Sequence, residues 1–529
     1  MKKIGMLLLA AMMLLVAACQ SDEASEAEEK DNVLVMSWPK DIGGEVNPHL
    51  YSPNEMFAQA MLYDPLVVYN NDGSIAPGLA EVWDMSEDGK TYTFTLREGV
   101  NYSDGSLLTA DNVKRNFDTV TANIDAHSWL EVVAVIESVE VVGDMQVAIH
   151  LKNAYYPFLQ ELALIRPLRM LADAGFPESG HTADGITKAI GTGPWILSAY
   201  EKDRYAEFTR NENYWGEKPA LEKVVVQVMG DSQSRMMALE KGDIDLIFGS
   251  GQLAPVEFHT SKEQGKYITE VSEPLSTRLI AMNSLAAVTD QKEVRQAFQY
   301  LLDRDTIVEH VLNGLEQPAT TLFSPGFPYS ELDVTTYAYN VEQAVAILEA
   351  AGWVLNPETA IREKDGQALA VTFAFNSSDQ IQKSIAEYMQ GEWKKAGVDV
   401  QLVGEESQIL YGRLKAGDFN LVFNDTWGAP YDPHMYMRTM TGEKQIGNFA
   451  MLGTASAKEL EADILQVIRS TDEAERTALY KNILAMIQDE AMFLPISYRQ
   501  NYLVANDVFT SLGFSPQQYE VPVNLYEMK

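Results

Sequence analysis

The stretch 419–440, FNLVFNDTWGAPYDPHMYMRTM, offers the most chemistry in this chain. Phe419, Leu421 and Phe423 alternate with other residues at the period of a strand. The strand runs into a loop holding Gly428, Pro430 and Pro433, with two large aromatics, Trp427 and Tyr431, on it. A residue before proline is pushed away from the helical region, so Ala429 and Asp432 are expected to be extended. A strand that ends in a stiff aromatic loop can wall a ligand cleft. The competing reading is a buried turn whose tryptophan only fills core. Asp432, Pro433 and His434 could set a base beside its orienting group. No nucleophile stands next to them, and GxSxG, SxxK and HExxH are all absent, so a structural role is expected rather than an enzyme.

Metal ligation by the chain itself is poorly provided for. Its seven histidines include no pair at i, i+4, and Cys19 is the sole cysteine. Neither a disulfide, a thiolate site nor a polyhistidine cage is therefore expected in the mature protein.

Residues 1–20, MKKIGMLLLAAMMLLVAACQ, join a basic start, an apolar run and small residues before the cysteine. That is a secretory signal, too short for a comfortable membrane span. Val16-Ala17-Ala18-Cys19 resembles the lipobox of bacterial lipoproteins. The resemblance implies cleavage after residue 18 and acylation of Cys19. Residues 20–32 are polar, acidic and free of aromatics, the composition of a disordered tether. The folded body starts near Val33, outside the cytoplasmic membrane and held to it by lipid. Forty Lys and Arg stand against 76 Asp and Glu, a net charge of −36. So acidic a chain excludes nucleic acid and an anionic membrane face as partners.

Residues 33–529 exceed one ordinary core, so two or more lobes are expected. Residues 33–38 read as a strand buried on both sides. Ser52-Pro53-Asn54-Glu55 reads as a helix start, with Met56, Phe57, Ala60 and Met61 as its apolar stripe. Asp88-Gly89 marks a hairpin, and Thr109 caps a helix. Residues 132–151 alternate as strands. Helices at 341–352 and 381–396, stopped by Gly352 and Gly397, intersperse with strands at 369–375, 398–402 and 419–423. This alternation argues for mixed α/β lobes.

Several segments together resemble one family: LREGVNYSDGSLLTADNV, IGTGPW, RNENYWGEKPA, MALEKGDIDLI, VRQAFQYLLDRDTIV and AVAILEAAGW. They are similar to the large solute-binding proteins of ABC importers for peptides and nickel, family 5 of the extracytoplasmic class. NPHLYSPNEMFAQAMLYDPL, AYYPFLQELAL and TWGAPYDPH look most like its nickel-carrying members. The resemblance implies an α/β, two-lobed periplasmic-binding-protein-like clamp of class II, with hinge strands. It divides the chain into signal 1–18, tether 19–32, one lobe of 33–274 plus 500–529, and a second lobe of 275–499. It implies a monomeric carrier with no permanent cofactor, which passes its ligand to ABC permease subunits in the membrane.

Nickel with imidazole and oxygen ligands needs donors that this chain does not cluster. A metal already wrapped by a small organic chelator fits better. Arginine reads the chelator's carboxylates through a bidentate fork, and aromatic faces pack the rest. By resemblance the cleft residues are Met56, Trp129, Arg166, Tyr411, Trp427 and Tyr431. Two positions depart from the nickel pattern. Ala126 stands where a second cleft arginine is found, and Gln445 where a histidine reaches the metal. Arg438, seven residues past Tyr431, is expected to supply the missing positive charge. A peptide carrier of the same fold is the rival, and haem is a further possible ligand. Peptide-binding members hold the free amine with an aspartate where this chain has Pro430. An ammonium buried there without a carboxylate would be costly.

Overall fold

The computed structural model describes residues 32–52, 54–331, 334 and 336–529. The signal, residues 19–31 of the tether with Cys19, and Pro53 lie outside the described residues. Three larger sheets carry the architecture. A seven-stranded mixed sheet runs in the order Ile268–Val271, Tyr502–Ala505, Leu246–Phe248, Val33–Trp38, Lys223–Val228, Tyr205–Arg210, Trp195–Glu201. A four-stranded antiparallel sheet joins Ala80–Met85, Thr91–Leu96, Gln146–Leu151 and Ile136–Gly143. A six-stranded sheet runs Gln317–Pro318, Phe493–Arg499, Ser276–Met282, Leu421–Asp425, Ala370–Asn376, Asp399–Glu405.

Local signals placed most of these elements. Thr109 accepts from Asn112 N and caps the helix Ala110–Ala122. Asp379 caps Gln380–Lys395 in the same way, and Gly397, at φ +82°, ends it. A Cβ on Gly397 would sit 2.9 Å from Leu355 and Arg362 side-chain atoms, so the stop is steric as well as conformational. One reading holds and one changes. Val33–Trp38 is covered on both faces, as expected: Leu34 and Met36 join the core with Phe57, and Val35 on the other face packs on the cluster of Ala238, Leu239 and Ile244. Residues 131–135 form a short helix before the strand at 136, whereas the alternation over 132–151 reads as strand from its start.

The chain crosses between the seven- and six-stranded sheets twice, from Val271 to Ser276 and from Arg499 to Tyr502. The crossings are bonded to each other: Ser272 N donates to Asn501 O and Leu275 N to Arg499 O, both at 2.8 Å. Such a pair of short adjacent strands is the form of a hinge.

Behind the six-stranded sheet, Arg295 is buried against Glu490 at 3.0 Å, and both are almost wholly out of water. Glu490 also accepts from Ser456 at 3.0 Å, and Arg295 donates to Glu490 O and Thr289 O. Removing one partner of such a pair strands the other charge. Arg295→Met is expected to cost about 3–5 kcal/mol of stability, read from the denaturant midpoint. The double variant Arg295→Met with Glu490→Leu recovers most of it; equal midpoints for wild type and the single variant would disprove the assignment.

Candidate functional site

A cavity of about 1160 Å³ opens beside the hinge. Its base is aromatic: Trp38 packs on Phe57 with ring centroids 4.4 Å apart, and both line it. Its walls come from distant parts of the chain. Trp129 sits in the turn between the helices Ile124–His127 and Glu131–Val135. Trp427 and Tyr431 sit on the loop that follows the strand Leu421–Asp425. The two tryptophan rings lie nearly parallel, 9° apart, with centroids at 5.8 Å, and Tyr431 is 6.0 Å from Trp427. Each tryptophan is about two-fifths exposed (40% and 39%), so both keep contact surface for a guest.

The loop's shape is tightly set. Gly428 has φ +79°, and a Cβ there would lie 2.7 Å from Leu275 O, on the first hinge crossing. Gly428 N donates to Asp432 Oδ2 at 2.6 Å, closing the loop on itself. Burial raises the Asp432 carboxyl to about 7, against the Gly428 hydrogen bond, which lowers it. Ala429 bridges to Gln517 of the C-terminal segment, and that segment's Tyr519 completes the wall. Asp432 and His434 thus act as structure. His434 Nε2 meets Glu161 Oε1 at 3.0 Å, and Glu161 also accepts from Tyr155 and Val132 N.

Arg166 is the charged group at the centre. Its Nη1 donates to Tyr51 O, to Asn54 O at 3.3 Å and to Gln59 Oε1 at 3.4 Å. Its Cζ lies 5.3 Å from the Tyr51 ring centroid, a cation–π contact. Nε and Nη2 have no protein acceptor among the described residues, and no carboxylate pairs with this guanidinium. Burial lowers its pKa, with nearby Tyr431 and Tyr51 opposing. It stays cationic at neutral pH, as an arginine does. Tyr51 in turn bonds His127 Nδ1 at 2.7 Å and packs on Trp129 at 5.3 Å.

Of the residues singled out in the sequence, Met56, Trp129, Arg166, Trp427 and Tyr431 line this one cavity. Tyr411 does not. It lies 59% exposed on the helix Ser407–Ala416, which buries none of its residues, with Lys415 Nζ 5.5 Å from its ring. Arg438 does not either. The helix His434–Thr441 carries it to Glu131, with which it pairs. Ala126 and Gln445 are both exposed and outside the cavity. The structure adds Tyr51, Arg499 and Tyr519 to the lining. Tyr51 lay five residues before Met56 in a segment already singled out. Arg499 had only a local signal, a charge at the end of a buried strand.

Lys40, Arg166 and Arg499 face Asp41 and Glu55 across the cavity, a slight positive excess within a strongly negative chain. Asp41 is already engaged by Tyr200 and by the Gly43 and Asp203 amides. No histidine or cysteine lines the cavity, and no group of three or more His, Cys, Asp or Glu among the described residues could hold a metal ion. The arrangement can grip an anion against flat apolar faces and exclude water from it.

The nickel-binding periplasmic protein of Escherichia coli (strain K12) is 41% identical over 516 residues, 97% of this chain and 96% of that protein. The dipeptide-binding protein of the same organism is 29% identical over 85% of this chain and 86% of its own length. In three dimensions the chain superposes on NikA from Brucella suis, crystallised in complex with Fe(III)-EDTA, with a TM-score of 0.91 at 44% identity, over 94% of this chain and all of that one. It shares with these proteins a two-lobed α/β clamp. Residues 74–448 match the pattern of bacterial extracellular solute-binding proteins, family 5 middle. The chain belongs to family 5 of the bacterial extracellular solute-binding proteins.

Proposed function

We propose that this protein captures nickel, or a related divalent metal, already wrapped by a small carboxylate-bearing chelator, and delivers it to an ABC importer. The observation that carries the proposal is Arg166, largely buried between aromatic walls with its Nε–Nη2 edge free of protein acceptors among the described residues. Buried charge is normally paired, and the Nε–Nη2 edge is the one that takes a carboxylate side-on. Arg278 on Glu316 and Arg413 on Glu405 use it in that way in this same chain. A cavity without imidazole or thiolate suits a metal whose coordination positions the chelator fills. Trp129 and Trp427 can then hold the flat outer faces of the complex. The nickel-binding relative and the relative crystallised with Fe(III)-EDTA support the same ligand class.

In this reading residues 33–274 with 500–529 form one lobe and 275–499 the other. The segregation of strands between sheets and the two bonded crossings support that division. Closure would bury the chelate between the lobes, and the monomeric carrier would present it to the permease. Cys19 would carry the lipid that holds the carrier at the outer face of the cytoplasmic membrane. Cys19→Ser is expected to move the protein from the membrane fraction to the soluble one; retention in the membrane fraction would remove the anchor from the proposal.

Calorimetric titration of the folded protein with nickel plus L-histidine tests the ligand class. Binding is expected, and Arg166→Met should weaken it about ten- to a hundredfold, the range for a lost charge-assisted hydrogen bond. A rise in Tm with di- and tripeptides, and none with the nickel–histidine mixture, would instead make this a peptide carrier.

A further inference from the structure

Arg499 is the second guanidinium in the cavity wall, and no local pattern around it points to a role. It ends the strand Phe493–Arg499, where the chain leaves the six-stranded sheet for the second hinge crossing. Its carbonyl accepts Leu275 N from the first crossing, so its main chain is fixed by the hinge itself. Its side chain makes one hydrogen bond among the described residues: Nη1 donates to Asp425 Oδ2 at 2.9 Å. Asp425 ends the strand that leads into the Trp427 loop and is itself half in water. Arg499 Nε is buried with no hydrogen-bond partner, and Nη2 has no acceptor among the described residues either. Buried donors are rarely left so.

The pattern repeats that of Arg166. Each guanidinium is anchored to the protein through Nη1 and leaves Nη2 without a protein acceptor among the described residues; at Arg499 the surrounding protein covers Nε, so Nη2 is the donor left to the cavity. Arg278, on a neighbouring strand, shows both donors filled, with Nε and Nη2 on the two oxygens of Glu316 at 3.2 and 2.7 Å. Glu316 is committed to Arg278 and Ser497, which leaves only Asp425 in ion-pair contact with Arg499. The cavity, at about 1160 Å³, lies at the upper end of small-molecule sites, which run to roughly 1000 Å³.

We propose that Arg499 is a specificity-determining residue of the cleft: it gives a second carboxylate of the ligand a charge-assisted hydrogen bond from Nη2, so the protein selects metal chelates bearing carboxylates on two sides. The proposal rests on the metal-chelate reading above and adds to it the chemistry of the chelator. It also replaces Arg438 as the answer to Ala126: the second positive charge comes from the hinge and not from the loop helix. A carboxylate held there touches the crossing strands directly, so occupancy of this position and lobe closure are mechanically linked.

The test titrates the full mature chain with nickel–EDTA, whose carboxylates surround the metal, and with nickel–ethylenediamine-N-acetate, which carries a single one. Arg499→Met is expected to weaken nickel–EDTA about ten- to a hundredfold and to leave the single-carboxylate complex within about twofold. Arg499→Lys keeps the charge but loses the Nη2 donor, and should recover only part of the loss; it serves as the test if Arg499→Met fails to fold. Unchanged nickel–EDTA binding, or an equal loss for both complexes, would overturn the proposal while leaving the metal-chelate reading in place. Failure of the wild type to bind either complex would overturn both.

Discussion

A guanidinium largely shielded from water, with no carboxylate of its own among the described residues, is the constraint on which the site depends. Transfer of a charge into a low-dielectric interior is expensive unless hydrogen bonds or an opposite charge compensate it. Other buried arginines of this chain are compensated within the protein. Arg295 has Glu490, Arg278 has Glu316, and Arg304 and Arg169 are surrounded by main-chain carbonyls. Acidic residues outnumber basic ones almost two to one, 76 to 40, so a partner for Arg166 was easy to supply. The carbonyls of Tyr51 and Asn54 instead hold one nitrogen and orient the remainder. The resulting excess of positive charge sits in a hollow of low-dielectric walls, where a field reaches further than it does on an open surface.

The aromatic walls matter because they come from distant segments beside different sheets. Trp129 belongs to the segment before the four-stranded sheet's strand Ile136–Gly143, Trp427 to the loop after a strand of the six-stranded sheet. Their near-parallel rings face each other only when those parts are close. Three polar contacts span the same divide: Glu161 with His434, Glu131 with Arg438, and the hydroxyls of Tyr156 and Tyr480. Arg438 therefore contributes to the site at one remove, by tying the Trp427 side to the short helix that follows Trp129. A ligand that contacts both rings favours the closed arrangement by its differential affinity for it.

The loop at 419–440 was legible because its signals are local: period-two alternation, then glycine and prolines around large aromatics. Trp427 and Tyr431 occupy the positions that this pattern implied. Local spacing misled at Arg438. Seven residues along a helix put a side chain on the same face as the starting point, but the helix His434–Thr441 turns that face toward Glu131 and away from the cavity. Tyr411 failed for a related reason. An aromatic on a helix with no buried face has nothing to bring it to a cleft. Arg499 was missed because what makes it part of the site is topology. Its strand becomes a cavity wall only when two sheets are joined by crossings from 271 to 276 and from 499 to 502, a pairing of segments more than two hundred residues apart.

A cleft lined by guanidinium and indole, with no imidazole, has a consequence for metal selection. Under the proposed function the protein senses the ion only through the shape and charge of the complex that encloses it. Exchange of one divalent first-row metal for another inside the same chelator leaves the carboxylates on the outer surface nearly where they were. Discrimination between such ions must then come from the chelator, whose nitrogen and oxygen donors favour metals in the usual order of complex stability. On the same proposal the protein's own selectivity acts on a different variable, the number and placement of carboxylates, because an unmatched carboxylate or an unmatched guanidinium is left buried without its partner. The exposed positions of Ala126 and Gln445 fit this division of labour, since neither supplies a ligand to the cavity in this chain.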